Sequence, residues 1–288
     1  MAEKFDLDAS ITVMRGAVPI RFAHHRGPDK PENHRLHINN YVEIYFYIRG
    51  DHRYIVEDSL YEMRRGDVIV ISPREVHKAL LTGEVEDYER FYFLVDPSSF
   101  SGMAFDPMAA LRERRACAGN LISFDDETRE VVIGMLYAIG ECFENGRNDQ
   151  LRALSYFFRI LDECAGTAHS RRKSAEASAR TPELLAKILA YISANTSRID
   201  SVTEMAAELG LTPQYLSSYF SKHIGTPLKT YIQAKKITLA KDLLDRGADV
   251  TTACYECGFN ECSYFIRVFR KYVGMTPRKY RESAVEVR

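Results

Sequence analysis

Two segments in the last third of the sequence place hydrogen-bonding side chains directly after a helix-start signal. In the first segment, Gln214, Ser217 and Ser218 follow Thr212, which can cap a helix with Pro213 at its first position. Glutamine can pair with the N6/N7 edge of adenine, and serine can donate to or accept from several bases. We therefore predict that these three side chains read base edges in a DNA major groove.

The second segment repeats this order of signals, because Asn260 can cap a helix that starts at Glu261. Its outward positions, which we predict to contact bases, are Asn260, Glu261, Cys262, Ile266 and Arg267. An arginine can bind a guanine through two hydrogen bonds or hold a phosphate. The predicted phosphate contacts, which give affinity rather than sequence choice, are Lys222, Arg270, Lys271 and Arg278.

Each segment is the second half of a helix-turn-helix pattern, over 202–220 and 250–269. In each copy a short apolar helix ends at a glycine, Gly210 or Gly258, which can adopt the left-handed conformation without a Cβ penalty. The second helix then has a buried apolar stripe and a polar outer face. Residues 228–244 between the copies predict a helix about 25 Å long, which suits two recognition helices about one DNA turn, ~34 Å, apart.

At these residues the sequence resembles the DNA-binding domain of AraC-type transcription regulators. The similarity is greatest over 258–281, and 220–231 resembles the matching part of the first half. The resemblance covers about 183–284. It implies a sequence-specific regulator that binds double-stranded promoter DNA as an activator or a repressor. It also implies a homodimer, with RNA polymerase as a candidate partner.

The first third of the sequence predicts β structure. Runs of β-branched and aromatic residues over 41–48, 53–57, 67–71 and 88–95 are separated by turn residues, which is typical of a sandwich or barrel. Two helical stripes follow, over 127–143 and 151–164. A stripe does not reveal its partner, so these helices either pack on the barrel or pair with a second copy of the chain.

The order of polar landmarks in this β region resembles the two motifs of the cupin barrel, through His37, Glu43, Gly50, Gly66, Asp67, Pro73 and His77. In metal-binding cupins the first motif supplies two histidines and a glutamate, and the second supplies one histidine. Asn39 stands at the second-histidine position, and asparagine is a weak ligand for transition metals. We therefore predict no metal and no other cofactor.

Instead, the predicted effector-binding residues are His37, Glu43, Tyr45 and His77, with a sugar as one candidate class of small-molecule effector. The main alternative is a metal-dependent cupin enzyme with an appended DNA-binding domain. A regulator whose cupin has lost its ligand also stays open. No nucleophile triad or phosphate-binding loop is recognisable, so we predict no catalytic residues and no enzymatic activity.

These elements predict a two-domain α+β fold in a chain of 288 residues. A cupin-like β-barrel with trailing helices covers 1–166, a flexible linker covers 167–181, and an all-α domain with both helix-turn-helix motifs covers 182–288. Lys and Arg outnumber Asp and Glu in 182–288, whereas the reverse holds in 1–181. A basic C-terminal region suits contact with DNA.

The remaining composition indicates a cytoplasmic protein without a membrane segment. No apolar run is long enough to span a bilayer, and the charged N-terminus lacks a signal-peptide core. The six cysteines are scattered, which favours a reducing compartment over a disulfide framework. Because Cys254 and Cys257 lie on a buried helical stripe and no second ligand pair follows Cys262, we predict structural cysteines and not a zinc site.

Overall fold

The computed structural model describes residues 4–14, 17–50, 52–81, 83–112, 119–173 and 181–286. The chain divides into two compact units. The first comprises Met1–Asn33, Asn39–Pro73 and Leu81–Arg180, and the second comprises His34–Ile38, Arg74–Leu80 and Thr181–Arg288. Two short segments from the N-terminal part of the sequence therefore belong to the same unit as the C-terminal helices.

The strands of the described chain are β1 Phe5–Ile11, β2 Ile20–Asp29, β3 His37–Ile38, β4 Val42–Arg49, β5 His52–Val56, β6 Ser59–Glu62, β7 Val68–Ile71, β8 Val76–Leu81, β9 Val85–Val95 and β10 Leu121–Ile122. Its α-helices are α1 Ala109–Arg112, α2 Asp126–Glu141, α3 Gln150–Lys173, α4 Glu183–Asn195, α5 Val202–Glu208, α6 Pro213–Ile224, α7 Leu228–Asp245, α8 Val250–Glu256, α9 Cys262–Val273 and α10 Pro277–Glu286. The strands predicted over 41–48, 53–57, 67–71 and 88–95 correspond to β4, β5, β7 and β9.

The first unit is built on an antiparallel sheet of six strands in the order β1-β2-β9-β4-β7-β10. β1 and β10 are its edges, so this sheet is open. In its centre Phe46 of β4 lies opposite Phe91 of β9, and both side chains are buried. β5 and β6 form a hairpin whose register runs from Arg53↔Glu62 to Val56↔Ser59.

Helices α2 and α3 cover one face of this sheet with their apolar stripes. Leu136 and Ile139 of α2 and Phe157 of α3 are fully buried in the same core as the sheet residues. The rings of Phe157 and Phe93 lie with their centroids 4.9 Å apart. The interpretation that both stripes pack within the chain is therefore confirmed.

The predicted fold class is confirmed, with an antiparallel β region first and a helical region second. α3 continues to Lys173, so 167–173 of the predicted linker is helical. Residues 174–180 of that linker lie outside the described residues. No helix in the described ranges combines the length and the apolar character that crossing a bilayer requires.

A buried carboxylate ties the sheet of the first unit to α2. Glu89 of β9 is fully buried, and Tyr137 of α2 donates its hydroxyl to Glu89 Oε1 at 2.8 Å. His24 Nε2 lies 2.8 Å from the same oxygen, and Arg49 Nε donates to Oε2 at 2.7 Å. Burial alone would raise the pKa of Glu89, but these three partners outweigh it and lower the pKa to about 2.

The second unit contains α4–α10 together with β3 and β8, which pair through His37↔His77 and Ile38↔Val76. The apolar spacing of α4 predicts a buried face of five residues. Four of them are buried, namely Leu185, Ile188, Leu189 and Ile192, whereas Leu184 is half-buried. α7 has 18 residues and is thus about 27 Å long. It connects the two helix-turn-helix motifs, α5–α6 and α8–α9.

Candidate DNA-binding surface and effector residues

The first helix-turn-helix motif consists of α5 and α6. Ser201 caps α5, since its Oγ accepts a backbone N–H at 3.1 Å. Gly210 takes the left-handed conformation between the helices, with a φ of 67°. Thr212 Oγ1 accepts the Tyr215 N–H at 3.2 Å, so Thr212 caps α6 with Pro213 at its start, as predicted.

Helix α6 separates a buried face from a polar one. Its buried residues are Leu216, Phe220 and Ile224. Gln214, Ser218 and Lys222 are exposed, and Ser217 is half-buried. The predicted base-contacting residues of this helix are thus accessible to a partner.

Two tyrosines on α6 are more exposed than the apolar pattern of the helix predicts. Tyr219 follows the apolar spacing of the buried stripe but is only half-buried. Its ring centroid lies 5.7 Å from that of Tyr215 and 4.2 Å from that of His223. Tyr215 is 50% exposed beside Gln214 and was not among the predicted contacts. Its i, i+4 spacing to Tyr219 is the signal that could have identified this aromatic row.

The second motif has the same order of elements with a different cap. Asp249 caps α8, with Oδ1 accepting the N–H groups of Thr251 and Thr252 at 2.8 and 2.9 Å. Gly258 has a φ of 82°. The prediction that Asn260 caps the next helix is wrong. The backbone of Glu261 is still extended, with φ −142° and ψ 119°, so α9 starts at Cys262 and Glu261 occupies the cap position without a side-chain cap hydrogen bond.

The outer face of α9 carries the predicted contacts. Asn260, Glu261, Ile266, Arg267 and Lys271 are exposed, and Cys262 is half-buried. The predicted phosphate contacts Arg270 and Arg278 are exposed as well.

The guanidinium of Arg267 lies over the ring of Tyr264, with its central carbon 5.2 Å from the ring centroid. Tyr264 is itself held from α7, because Gln233 Nε2 donates a hydrogen bond to its hydroxyl. A planar guanidinium that rests on an aromatic face keeps its donors available at the edge. Arg267 is thus an ordered cation on the exposed face of α9.

The cysteines of the second motif are part of its core. Cys254 and Cys257 are fully buried, and the Cys257 thiol donates to the Cys254 carbonyl at 3.4 Å. Burial raises the pKa of the Cys257 thiol to about 12 and also raises that of Cys254. Thiols in this state pack as small apolar side chains, because a metal ligand must be a thiolate. Cys117 lies outside the described residues.

Two of the predicted effector residues, His37 and His77, lie side by side in the second unit. Their ring centroids are 4.1 Å apart. His37 Nδ1 lies 2.8 Å from the Arg35 carbonyl oxygen, and His77 Nδ1 lies 2.7 Å from that of Glu75. Each ring therefore donates through Nδ1, which directs Nε2 away from the backbone. Histidines that bind metals commonly have this arrangement.

The other two predicted effector residues, Glu43 and Tyr45, belong to β4 of the first unit. Asn39 Nδ2 donates to Glu43 Oε2 at 2.6 Å, so the asparagine at the position of the second cupin histidine binds the neighbouring carboxylate. The Tyr45 hydroxyl lies 2.5 Å from that of Tyr88, and its ring centroid lies 4.8 Å from that of Tyr54. Burial raises the pKa of Tyr45 well above its usual value. Tyr45 is thus a core residue with a satisfied hydroxyl.

Comparison with known proteins finds similarity to several transcription regulators. A transcriptional regulator of the AraC-type DNA-binding domain-containing proteins from Chromobacterium violaceum has a solved structure that is 22% identical, with a TM-score of 0.33 over 35% of this chain and 91% of that one. The regulatory protein PocR of Salmonella typhimurium is 30% identical over 101 residues, which is 35% of this chain and 33% of PocR. The matched part of the chain thus spans about a third of the length of that relative.

The transcriptional activator RhaR of Escherichia coli is similar over a longer stretch, with 21% identity over 271 residues, or 85% of this chain and 86% of RhaR. Residues 205–283 match a protein-family model described as a helix-turn-helix domain, and this range contains most of the first motif and all of the second. The C-terminal region of the chain thus contains a helix-turn-helix domain and is similar to regulators of the AraC type.

Proposed function

We propose that this protein is a sequence-specific transcription regulator that inserts α6 and α9 into successive major grooves of double-stranded promoter DNA. The observation that carries this proposal is the pair of helix-turn-helix motifs joined by α7 within one unit, each with an exposed polar face on its second helix. An α-helix fits the B-DNA major groove, and the N-terminal part of a recognition helix contacts the base edges.

The proposed contacts divide into two classes. Base edges would be read by Gln214, Ser217 and Ser218 from α6, and by Asn260, Glu261, Cys262, Ile266 and Arg267 at α9. Amide, hydroxyl and guanidinium groups provide the hydrogen bonds for this, while Ile266 offers an apolar contact to a thymine methyl group. Lys222 and Lys271 would hold phosphates and add affinity without sequence choice.

The test is a selection of bound duplexes by the full-length protein from a random library at low salt. We expect one enriched sequence with two half-sites about one helical turn apart. A protein with Gln214→Ala and Arg267→Ala together should retain weak binding to all duplexes but lose the enrichment. A wild-type protein that enriches no sequence would contradict the proposal.

A small-molecule effector is the second part of the proposal. A ligand that prefers the DNA-competent state would shift the population toward it, and the residues offered for recognition are His37, Glu43 and His77. Sugars are the first class to test. A binder should raise the melting temperature of the full-length protein by mass action, and an Asn39→Ala variant should weaken it, because Asn39 holds the Glu43 carboxylate.

The proposed protein partners are a second copy of this chain and RNA polymerase. The buried stripes of α2 and α3 are already covered, so a dimer would use other residues, such as Leu151, which is 80% exposed on α3. Sedimentation of the full-length protein should give twice the chain mass. A Leu151→Glu variant tests this surface, and a dimer of unchanged stability would place the interface elsewhere.

The second candidate function is a metal-dependent cupin enzyme that carries a DNA-binding region. The side-by-side His37 and His77, each donating through Nδ1 to a backbone carbonyl, favour it. Against it, Asn39 supplies an amide at the position of the second cupin histidine, and an amide is a weak ligand for transition metals. Elemental analysis decides: we expect far less than one metal per chain after dialysis, and one retained equivalent would favour the enzyme.

A further inference from the structure

Lys236 of α7 is a buried lysine that joins both helix-turn-helix motifs. Its side chain is only 7% exposed. The ammonium group donates to the Ile199 carbonyl at 2.8 Å and to the Gly258 carbonyl at 2.6 Å. Ile199 precedes α5 of the first motif, whereas Gly258 forms the turn of the second. One side chain from the connecting helix therefore binds the loop before the first motif and the turn of the second.

The surroundings of Lys236 make these two bonds important. Burial lowers the pKa of the ammonium group, which Asp200 and Cys257 partly offset. The ammonium nitrogen also lies 5.8 Å from the centre of the Phe259 ring. Burying an ammonium group is costly unless hydrogen-bond acceptors replace its hydration water. Moving either the Ile199 or the Gly258 carbonyl away would leave the charge without an acceptor, so both carbonyls are held at hydrogen-bonding distance.

The backbones of the two motifs also touch at this point. A Cβ added to Gly258 would lie 2.1 Å from the Ser197 carbonyl oxygen. The second turn is thus pressed directly against the loop that leads into α5. A cleft of about 470 Å³ lies beside this junction and is lined by Asp200 before α5, Gln233 of α7, Asn260 before α9 and Tyr264 of α9. At the junction itself, the close approach of the two backbones and the two hydrogen bonds of Lys236 link the segments.

We infer that Lys236 is a positioning residue that fixes the distance between the two recognition helices, and thereby the half-site spacing that the protein accepts on DNA. This inference rests on the proposed function. The carbonyls that Lys236 binds lie only a few residues before the first residues of α5 and α9, Val202 and Cys262. Because α5 packs against the recognition helix α6, a shift of the Ile199 carbonyl moves α6 through α5, whereas a shift of the Gly258 carbonyl moves α9 directly.

The test measures affinity of the full-length protein for its selected duplex and for versions with one base pair inserted or deleted between the half-sites. The wild-type protein should bind the original spacing best. Lys236→Met keeps the length of the side chain and removes the ammonium group. We expect binding of the original duplex to weaken by about tenfold, the size of one lost specific contact, and the preference for that spacing to flatten.

Two controls separate positioning from loss of charge. Lys229→Met removes an exposed positive charge from the same helix, and its affinity should change equally at all spacings. A duplex with one intact half-site and one scrambled half-site should bind wild type and Lys236→Met equally. A folded Lys236→Met protein with the wild-type spacing preference would overturn the inference, as would an equal loss on the half-site duplex.

If Lys236→Met does not fold, Phe259→Leu decides the question, because it removes the aromatic ring near the ammonium group but keeps an apolar side chain. It should flatten the spacing preference in the same direction by a smaller factor, and an unchanged preference would overturn the inference. A wild-type protein that selects no duplex would overturn the proposed function and this inference together. A wild-type protein that selects a spaced duplex leaves the proposed function standing whichever way Lys236→Met behaves.

Discussion

The two helix-turn-helix motifs share their architecture but differ in what holds them in place. Their first helices have 7 residues each, their second helices have 12, and both second helices end at a left-handed glycine. In the first motif, the turn glycine has open space around it and a threonine side chain caps α6. In the second, the turn glycine is pressed against the backbone of another loop, and α9 starts without a side-chain cap.

The two motifs have the same fold, but the first is capped by its own side chains, whereas the second also relies on contacts from other parts of the unit. The first motif caps both of its helices with its own side chains, Ser201 and Thr212. The second depends on Lys236 and on the contact with Ser197, and so it is coupled to the rest of the unit. Substitutions at equivalent positions of the two motifs should therefore have unequal effects.

The largest difference in stability loss between the two motifs is expected when their turn glycines are replaced. Gly258→Ala would place a Cβ 2.1 Å from the Ser197 carbonyl oxygen and add the strain of a positive φ. We expect a loss of about 3 kcal/mol or more in the free energy of unfolding. Gly210→Ala has a similar φ but nothing within 4 Å of the new Cβ, so about 1 kcal/mol should be lost. Urea unfolding of both full-length variants measures the difference.

Equal losses in the two glycine variants would show that positive φ alone sets the cost and that the contact with Ser197 is unimportant. A Ser197→Ala variant is the matched control, because the contact involves the backbone carbonyl of residue 197 and not its side chain. This variant should unfold at nearly the wild-type urea concentration.

The next effect concerns DNA binding by the two exposed faces. Arg267→Ala and Gln214→Ala should each weaken specific binding by about 1–3 kcal/mol and relax sequence choice in separate half-sites. Arg267→Ala should cost more, because its guanidinium is held on Tyr264 and forms charge-assisted hydrogen bonds. Titration against single-base variants of the selected duplex provides the measurement. Relaxation of the same half-site by both substitutions would contradict docking by two separate helices.

The local features of this region could be predicted from the sequence, and the tertiary ones could not. The turn glycines, the Thr212 cap and the buried stripes depend on neighbouring residues, so sequence order was sufficient. The start of α9 was missed by one residue, because Asn260 and Glu261 are both acceptable caps and packing of the turn decides between them. The residue type of Lys236 predicts an exposed side chain, but Lys236 lies four residues from Ile232 and Ala240 and is buried like them.

The candidate effector residues were harder to place, for the same reason. The order of His37, Glu43 and His77 resembles a known motif, but order does not reveal which unit a strand joins. Segments 34–38 and 74–80 belong with the C-terminal helices, a long-range arrangement that no local pattern signals. Tyr45 has the residue type of a ligand contact, yet its hydroxyl is already satisfied within the core.

A smaller difference in stability loss is expected when the residues at the starts of α6 and α9 are replaced. Thr212→Ala removes the side-chain acceptor that caps α6 and should cost about 1 kcal/mol of stability. Glu261→Ala removes no cap bond and should cost at most a few tenths of a kcal/mol, from its charge near the α9 N-terminus. Thermal unfolding measures both. A cost for Glu261→Ala as large as for Thr212→Ala would mean that α9 is also capped locally.

The smallest effect is expected at two lysines that occupy equivalent places, Lys222 in the last turn of α6 and Lys271 in the last turn of α9. If each neutralises one phosphate, Lys222→Ala and Lys271→Ala should each reduce the slope of log affinity against log salt by about 0.9, with sequence preference unchanged. Lys187→Ala is the control, because Lys187 pairs with Glu183 at 2.7 Å on α4 and should leave the slope unaltered. A phosphate contact depends on the position of the DNA backbone and not on the base sequence, so equal reductions would mean that both motifs bind the duplex at the same time. A reduced slope for one lysine alone would mean that only one of the two motifs contacts the DNA.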